Sequence, residues 1–243
     1  MKKRDNIFND GNFNDLPFSF NKEVTEVFED MIDRSVPGYS SSLKLIENLS
    51  RKYYQDKSFC YDLGCSLGAS TMSLLKAIEN KEGKIFAIDN SEAMIFKCKD
   101  RFKDFIESRR VIFTLQDVES TEIREASIVV VNFVLQFIDL NKRESLLKKI
   151  FSGMKKNGLL IMSEKIHFNN KFRNKSLLNL YHKFKYNNGY TKMEISSKRD
   201  ALEGVLITEP QDDHYQRLKK IGFKKIRKVM VNLNFITLIA QKK

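Results

Sequence analysis

Two glycines in the segment YDLGCSLGAST, residues 61–71, constrain the fold more than any other feature of the chain. Gly64 and Gly68 lie between a short apolar run and a helical pattern, and both can adopt positive φ without steric conflict. The backbone can therefore turn tightly there and let a ligand lie against it. A turn of this kind between a strand and a helix is a common nucleoside-binding element of α/β proteins.

A carboxylate follows this turn at the spacing that nucleoside binding requires. Residues 84–89 are predicted as a second buried strand, and Asp89 at its end comes 25 residues after Gly64. In open parallel sheets an acid about 20 residues beyond the turn accepts hydrogen bonds from ribose hydroxyls. Asp89 is therefore the predicted ribose ligand, and the alternative of a turn that binds nothing is disfavoured.

The glycine spacing distinguishes between nucleoside cofactors. A dinucleotide fold uses G-x-G-x-x-G, which admits a pyrophosphate to the helix N-terminus. This chain instead has Asp62, Gly64 and Gly68 in the pattern D-x-G-x-x-x-G. That pattern resembles the first motif of the class I S-adenosylmethionine-dependent enzymes, whose cofactor has no phosphate. An acid at position 62 also suits the cationic amino-acid end of that cofactor.

Length and composition narrow the class of protein further. The 243 residues suffice for one doubly wound α/β domain, and no apolar run is long enough to cross a bilayer. No apolar segment follows the basic N-terminus, so we expect no signal peptide and a cytoplasmic protein. Three cysteines and three histidines show no metal-ligand spacing, which predicts reduced thiols and no metal.

The net charge of +12 has two interpretations. Clustered lysines and arginines neutralise nucleic-acid phosphates, whereas dispersed ones only solvate the surface. Basic residues are concentrated only in residues 171–175, 219–220, 224–225 and 227–228. The surface interpretation is therefore favoured, with RNA contact kept as the alternative.

Polar residues follow the next two predicted strands. Residues 111–115 form a β-branched and aromatic strand, after which Asp117 and the amide of Val118 are predicted to hold the adenine. The alternative for Asp117 is a helix cap or a turn residue. Residues 127–132 are the most hydrophobic strand, which predicts a central position. Asn132 then lies at the ligand-binding end of the sheet, near the reacting end of the cofactor.

The remaining pattern completes an α/β, doubly wound, mostly parallel seven-stranded sheet of the methyltransferase type. A helix is predicted to end at Asn157 and Gly158, followed by a strand over residues 159–162 and a C-terminal hairpin that turns near Asn232. Residues 1–243 are predicted to form a single domain. A helical arm covers residues 1–50, and a helical insertion over residues 165–221 is predicted to act as a lid or dimer interface.

Six stretches of the sequence together resemble the family of carboxy-S-adenosyl-L-methionine synthases. They are residues 26–40, 61–71, 87–94, 131–138, 163–165 and 188–199. The resemblance extends over nearly the whole chain, and most of these stretches lie outside the generic glycine turn. It is therefore a specific resemblance within the class I methyltransferase-like superfamily.

This resemblance implies a transferase that converts S-adenosyl-L-methionine and prephenate into carboxy-S-adenosyl-L-methionine, phenylpyruvate and water. It implies that a separate enzyme then uses the product to make 5-oxyacetyluridine at the tRNA wobble position. The chain itself would need no contact with nucleic acid or membrane. The family also suggests a homodimer.

The resemblance assigns the cofactor contacts residue by residue. They are Tyr39, Gly64, Cys65, Ser66, Asp89, Asn90, Asp117, Val118, Asn132 and Arg199. Tyr39 and Arg199 are also expected to act in catalysis, Tyr39 by orienting the new carboxylate. Arg199 can hold that carboxylate with two parallel hydrogen bonds, which a lysine cannot form. Position 118 is often isoleucine in the family, and a backbone contact tolerates the valine.

Several features of the reaction stay open at this level. Arg34 and Lys165 are candidate partners for the two carboxylates of prephenate. No side chain is identified as the base that removes the methyl proton, and the hydroxide that leaves prephenate is an alternative acceptor. Arg199 acts either within its own subunit or in the site of a neighbour.

Two rival functions use the same fold. A methyltransferase acting on RNA or a small molecule would bind its cofactor through the same Gly64, Asp89 and Asp117. A non-catalytic RNA-binding protein would keep the fold as a scaffold and bind RNA in a salt-sensitive manner. The residues after Asn132 lack the proline pair of amino-group DNA methyltransferases, which disfavours that class.

Overall fold

The computed structural model describes residues 3–9 and 17–243; Met1, Lys2 and residues 10–16 of the predicted arm lie outside the described residues. The strands are β1 Ser58–Leu63, β2 Gly83–Asp89, β3 Val111–Leu115, β4 Ala126–Asn132, β5 Met154–His167, β6 Glu209–Pro210, β7 Lys224–Asn232 and β8 Phe235–Gln241. The helices are α1 Lys22–Ser35, α2 Tyr39–Tyr53, α3 Ala69–Ala77, α4 Glu92–Arg101, α5 Lys103–Glu107, α6 Leu140–Gly153, α7 Lys171–Asn187, α8 Lys192–Ala201 and α9 Gln211–Ile221.

The strands form one sheet in the order β3-β2-β1-β4-β5-β8-β7, and the short β6 pairs with the end of β5. Strands β1 to β5 run parallel, whereas β8 is antiparallel to both β5 and β7. The predicted doubly wound, mostly parallel seven-stranded sheet is therefore confirmed, with β6 as a small addition. The strand order reverses between β1 and β4, where a crevice for a ligand forms in such sheets.

Strand β4 runs through the centre of the sheet, and every residue from Ala126 to Val131 is buried. Val131 packs on one face with residues such as Leu147 of α6. Val130 packs on the other face with residues such as Leu74 of α3. Cover on both faces explains the unbroken apolar run in the sequence.

Helix α6 ends at Gly153, so the prediction that it ends at Asn157 and Gly158 is wrong. Met154 already pairs with Ala126, and β5 continues through an irregular stretch that includes Asn157 at φ 65°. A Cβ at Gly153 would overlap the carbonyl of Ile123. Close backbone packing at Gly153, and not a glycine turn four residues later, therefore marks the end of the helix.

The predicted insertion over residues 165–221 divides into three parts. Residues 165–167 still belong to β5, α7 and α8 form the inserted layer, and α9 packs on α6 and β7 as a crossover helix. The start of α8 is fixed by a capping box. The Thr191 side chain accepts the Glu194 amide at 3.2 Å, and the Glu194 side chain accepts the Thr191 amide at 2.6 Å.

The arm before β1 joins this inserted layer. Its small apolar core consists of Phe8, Phe18, Val24, Val27 and Met31. The Phe18 amide donates to the carbonyl of Ala201 at 2.9 Å, which ties the arm to the end of α8. In the part of the chain that is described, no helix combines the length and the apolar character that crossing a membrane demands.

Candidate active site

The turn after β1 is held against the end of β2 by backbone hydrogen bonds. The amides of Gly64 and Cys65 both donate to the carbonyl of Ile88, at 2.8 and 2.9 Å. Gly64 has φ 73°, and a Cβ at this position would overlap the side chain of Val134. The position needs glycine both for its dihedral angle and for this close approach.

Asp89 ends β2 beside this turn. Its Oδ2 accepts the amide of Ser66 at 2.8 Å, and its Oδ1 accepts the amide of Ser91 at 2.9 Å. Burial raises the pKa of the carboxyl group, and these amides oppose the rise. A carboxylate has about four lone-pair positions, so Asp89 keeps acceptor capacity for the hydroxyl groups of a ligand.

Asn90 and Asp117 meet at the outer edge of the turn. Nδ2 of Asn90 donates to Oδ1 of Asp117 at 2.8 Å, and both side chains are exposed. Val118 is partly buried and begins a single 3₁₀ turn, Val118–Ser120. The ends of β2 and β3 are thus linked at the place where the sequence predicted an adenine.

Two buried oxygens at the ends of β1 and β4 have no hydrogen-bond partner among the described residues. Thr71 donates to Oδ2 of Asp62 at 2.6 Å, which leaves Oδ1 of Asp62 unpaired. Asn132 donates to Oγ of Ser70 at 3.2 Å, while its own Oδ1 is unpaired. Burial raises the pKa of Asp62 to about 7. A ligand with hydrogen-bond donors would stabilise both oxygens.

Cys65 and Tyr39 are un-ionised at neutral pH. A hydrogen bond with Cys98, together with burial, holds the pKa of the Cys65 thiol well above its usual range. Burial likewise raises the pKa of Tyr39, and the nearby Asp62 adds to the rise. The ring of Tyr39, at the start of α2, lies 6.4 Å from that of Phe133. Neither residue offers an ionised nucleophile or base.

One cavity at the carboxyl ends of β1, β2 and β4 unites nine of the ten predicted contacts. They are Tyr39, Gly64, Cys65, Ser66, Asp89, Asn90, Asp117, Val118 and Asn132. Helix α1 contributes Phe28, Met31 and Ile32 to the wall. The structure therefore brings together residues that are spread over 94 positions of the sequence, from 39 to 132.

Arg199, the tenth predicted contact, lies outside this cavity. Its Nε donates to Oδ1 of Asp200 at 2.9 Å, its Nη2 donates to Oγ of Ser196 at 3.2 Å, and the side chain is 58% exposed. The preceding residue, Lys198, lines the cavity instead. Successive residues of a helix point about 100° apart, so one of this pair faces inward and the other outward.

Arg34 is also absent from the cavity wall. Its Nε donates to the carbonyl of Asn188 at 2.8 Å, and its Nη1 donates to the carbonyl of Asp5 at 3.0 Å. Its guanidinium carbon lies 3.8 Å from the ring centroid of Tyr190. The structure gives Arg34 the role of joining α1 to the inserted layer, in place of the predicted contact with prephenate.

The far end of the cavity is aromatic and basic. Phe133, Tyr181 and Phe235 line it together with Lys165 and Lys198. Lys165 was selected from the sequence, whereas Lys198 and the three rings were missed. Lys198 directly precedes Arg199 in residues 188–199, one of the stretches that resemble the synthase family. This position could have identified Lys198 as a candidate site residue. The rings come from three separate elements, and no local pattern connects them.

Glu164 supports the cavity wall from behind. Its carboxylate accepts the amides of Leu135 and Gln136 at 2.9 and 3.0 Å, and Oε1 of Gln136 accepts the amide of Lys165 at 3.0 Å. Burial raises the pKa of Glu164 to about 8. The turn after β4, which carries the Phe133 wall, is thereby fixed to the end of β5.

The sequence is similar over most of its length to curated enzymes named carboxy-S-adenosyl-L-methionine synthase. It is 43% identical over 225 residues to the synthase of Pseudoalteromonas translucida (strain TAC 125), covering 93% of each chain. The synthase of Idiomarina loihiensis is 42% identical over 243 residues, covering 100% of each chain.

A family model described as a methyltransferase domain matches residues 61–158. Human N-acetylserotonin methyltransferase in complex with SAM has a TM-score of 0.60 at 16% identity, covering 91% of this chain and 55% of that one. The chain thus spans about half of that protein's length. Magnesium protoporphyrin IX methyltransferase from Synechocystis PCC 6803 with bound SAM has a TM-score of 0.57 at 12% identity, covering 90% and 84%. These likenesses show the class I methyltransferase fold.

The residues of the cavity fit S-adenosyl-L-methionine. Asp89 has acceptor capacity for ribose hydroxyls, and the unpaired oxygen of Asn132 suits an ammonium group, whereas Asp62 is buried and does not line the cavity. Within residues 3–9 and 17–243, no three His, Cys, Asp or Glu side chains are arranged to hold a metal ion. The relatives and the fold lead to one conclusion: the chain is a transferase that belongs to the carboxy-S-adenosyl-L-methionine synthase family.

Proposed function

We propose that this enzyme converts S-adenosyl-L-methionine and prephenate into carboxy-S-adenosyl-L-methionine, phenylpyruvate and water. The observation that carries the proposal is one cavity with two chemically different ends. Acidic and amide side chains line the end at the glycine turn, where Phe20 also contributes a ring, whereas the other end combines aromatic rings with two lysines. The likeness to the curated synthases over nearly the full length supports the same reaction.

The end at the glycine turn suits S-adenosyl-L-methionine, which supplies the methyl group to be carboxylated. In this proposal Asp89 accepts the ribose hydroxyls, and Asp117 with the amide of Val118 binds the adenine edge. Asn132 offers an unpaired oxygen of the cavity wall to the ammonium group. Tyr39 lines the same cavity as a neutral hydroxyl that can orient the new carboxylate.

The aromatic end suits a second substrate that carries a ring. Phe133 and Phe235 meet edge to face with centroids 5.8 Å apart, and Tyr181 follows at 5.3 Å from Phe235. Such a wall packs against a ring and excludes water from reacting groups. We assign the removal of the methyl proton to the hydroxide that leaves prephenate, which becomes the product water, while the carbon dioxide lost from prephenate bonds to the methyl carbon as the new carboxylate. Tyr39 and Cys65 remain protonated and do not compete as bases.

We also propose that the enzyme works as a homodimer in the cytoplasm. Five large apolar side chains are exposed on α7 and α8: Phe172, Leu178, Leu180, Tyr186 and Met193. Arg199 projects from the same layer. A second copy packed on this layer would bury the apolar side chains and bring an Arg199 towards a neighbouring cavity. A guanidinium there would hold the new carboxylate through paired hydrogen bonds.

The product would serve a separate enzyme that modifies the wobble uridine of tRNA, without RNA or membrane contact by this chain. The alternative is a methyltransferase acting on RNA or a small molecule. That activity would use the same glycine-turn end of the cavity. It would give Lys165 at the aromatic end no anionic ligand, and for this reason we favour the synthase.

Mass spectrometry of the small molecules tests the proposal. The purified protein is incubated with S-adenosyl-L-methionine, with and without prephenate. We expect a prephenate-dependent product in which one hydrogen is replaced by a carboxylate, together with phenylpyruvate. Binding of S-adenosyl-L-methionine without either product would reject the synthase reaction. Methyl transfer to a labelled RNA pool that ignores prephenate would support the alternative.

A further inference from the structure

Lys165 carries a positive charge into the cavity wall, and the described residues supply no counter-ion for it. Its Nζ lies 4.7 Å from the ring centroid of Tyr181 and 5.9 Å from that of Phe235. No carboxylate of residues 3–9 or 17–243 lies within ion-pair distance of it. Burial lowers the pKa of Lys165 to about 8, which reflects the cost of holding this charge away from water.

Lys185 is a second cation at the same ring. It follows Tyr181 by one turn of α7, is 5% exposed, and places its Nζ 4.7 Å from the Tyr181 centroid. The described residues offer it no carboxylate partner either. Burial, together with the charges of Lys165, Lys198 and Arg199, lowers the pKa of Lys185 to about 7. Two ammonium groups therefore share one aromatic ring.

Lys198, the other lysine of the cavity, is different. Its Nζ donates to Oγ of Ser35 at 3.0 Å and lies 3.6 Å from Oδ2 of Asp5. This pairing neutralises Lys198. The charges that lack an anion among the described residues are therefore those of Lys165 and Lys185. The cavity carboxylates Asp89 and Asp117 belong to the opposite, glycine-turn end.

A row of rings connects the two ends of the cavity. Centroid distances are 6.4 Å from Tyr39 to Phe133, 5.8 Å from Phe133 to Phe235, and 5.3 Å from Phe235 to Tyr181. The row begins beside the residues that fit S-adenosyl-L-methionine and ends at Lys165. A ligand lying along it would place a ring on the aromatic wall and an anionic group at the lysine.

We propose that Lys165 binds a carboxylate of the second, ring-bearing substrate directly, and that Lys185, on the same Tyr181 ring, acts as a positioning residue that strengthens the positive potential there. The identity of this substrate as prephenate rests on the proposed function. The anion subsite itself rests on these two lysines, for which the described residues hold no carboxylate partner. In a water-poor site, an ammonium that is stabilised by cation–π contact alone gains more from binding a carboxylate than an ammonium that already has an anionic partner.

Calorimetric titration of the full chain tests this subsite. The cofactor end is first filled with S-adenosyl-L-homocysteine, which lacks the methyl group and prevents turnover, and prephenate is then titrated. We expect Lys165→Met to weaken prephenate binding by about 10-fold to 100-fold, the usual effect of losing a charge-assisted hydrogen bond. Lys165→Arg should restore most of the affinity, because the charge is kept. Binding of S-adenosyl-L-homocysteine should stay within about twofold in both variants, since Lys165 is remote from that end.

Lys185→Met should weaken prephenate binding by only about threefold, because the Lys185 ammonium acts on the bound carboxylate at a distance and does not contact it. This loss should be present at pH 6, where Lys185 is charged, and should fade above pH 7, because burial and the neighbouring cations lower the pKa of Lys185 to about 7. A merely structural Lys185 would weaken binding by the same factor at both pH values. Lys76→Met, on the exposed face of α3, removes the same net charge and should change nothing.

The outcomes separate this inference from the proposed function. If Lys165→Met binds prephenate as the unmodified protein does, the subsite is rejected even where the synthase reaction is found. If the unmodified protein does not bind prephenate but binds phenylpyruvate or benzoate in a Lys165-dependent way, the anion subsite is supported and prephenate is the wrong substrate. If none of these carboxylates binds the unmodified protein, the subsite is rejected.

Discussion

The backbone amide of Ser66 donates a 2.8 Å hydrogen bond to Oδ2 of Asp89, which joins the turn after β1 to the end of β2. The other oxygen of Asp89 accepts the amide of Ser91 at the start of α4. The carboxylate of Asp89 therefore holds the glycine turn in place and keeps acceptor capacity for a ligand. This double use explains why the acid must follow the turn at a set spacing.

Asp89→Asn should separate these two uses. The amide side chain keeps one acceptor for the backbone but loses the charge that strengthens hydrogen bonds from ribose hydroxyls. We expect affinity for S-adenosyl-L-methionine to fall by about 10-fold to 100-fold in calorimetric titration. Asp100→Asn on the exposed side of α4 is the matched control and should bind normally. Normal binding by Asp89→Asn would remove Asp89 from the ribose site.

Gly64→Ala should destabilise the protein more than Gly204→Ala. Both glycines have φ 73°, so alanine meets the same backbone strain of about 1 kcal/mol at either position. A Cβ at Gly204 has nothing within 4 Å, whereas one at Gly64 overlaps Val134. We expect the free energy of unfolding to fall by roughly 1–3 kcal/mol more for Gly64→Ala, measured by urea denaturation. Equal losses would contradict the close approach of Val134.

Lys185→Met should stabilise the free protein, although it weakens substrate binding. The ammonium is buried without an anion among the described residues, so removing it should raise the free energy of unfolding by about 1 kcal/mol at pH 6. The folded-state pKa is lowered to about 7, so the folded chain sheds the charge above pH 7. The gain should therefore shrink as the pH rises from 7 towards the unfolded value of about 10.4.

Arg143→Met provides the contrasting case for a buried cation. Arg143 is 0% exposed and pairs with Glu209, which also binds Arg217. Removing it strands part of a buried charge network and should cost about 3–5 kcal/mol. Urea denaturation of both variants at pH 6 makes the comparison. A loss of stability in Lys185→Met similar to that of Arg143→Met would show that Lys185 has a counter-ion.

Prephenate affinity should fall as the pH rises above about 8. The pKa of Lys165 is lowered to about 8, so the free site loses its positive charge beyond that value and the carboxylate loses its partner. The groups around Lys165 are the neutral rings of Tyr181 and Phe235, and the cation Lys185. Tyr181 stays protonated, because burial raises its pKa. We expect a decline of up to about tenfold per pH unit in calorimetric titration with S-adenosyl-L-homocysteine present.

Lys165→Arg is the control for this pH dependence. A guanidinium does not titrate in this range, so the decline above pH 8 should disappear while affinity at pH 7 is largely kept. A decline of the same size in Lys165→Arg would assign the titration to another group. The change due to Lys185 is centred near pH 7 and can be told apart from it.

Much of the fold was predictable because strands that are buried on both faces consist of continuous runs of apolar residues. β4 is such a run, and Asn132 at its end lines the cavity as expected. Long-range packing was not predictable. Arg34 has a side chain that commonly binds anions. In the fold, however, it donates to the carbonyls of Asp5 and Asn188, which come from distant parts of the chain. The wall of rings likewise depends on three elements that only the folded chain brings together.

The inner face of α8 illustrates the same limit on a finer scale. The sequence stretch that contains Lys198 and Arg199 pointed to the right helix, but a shift of one residue decides which cation enters the cavity. The hydrophobic pattern of this polar helix is too weak to fix its rotation. Only the partners of Lys198, Ser35 and Asp5, reveal which side faces inward.

The outward position of Arg199 predicts that subunits complement one another. Arg199→Met should keep the free energy of unfolding within about 0.5 kcal/mol, since the exposed guanidinium has Asp200 and Ser196 as its polar partners among the described residues. It should nevertheless abolish the carboxylated product. Asp89→Ala should abolish the product through the cofactor end. We expect each variant to be inactive when it is assayed alone.

Mixing these two variants after unfolding and refolding distinguishes the two arrangements of Arg199. If Arg199 serves the neighbouring cavity of a dimer, the mixed dimer contains one intact cavity supplied with an intact arginine. Random reassortment should then restore about a quarter of the original activity, because half of the dimers are mixed and each has one complete site. If Arg199 folds back into its own cavity, no mixed dimer contains a complete site and the mixture stays inactive. Light scattering on the same sample reports whether dimers are present, so inactivity without dimers would reject the proposed assembly, and inactivity with dimers would reject only the exchange of Arg199.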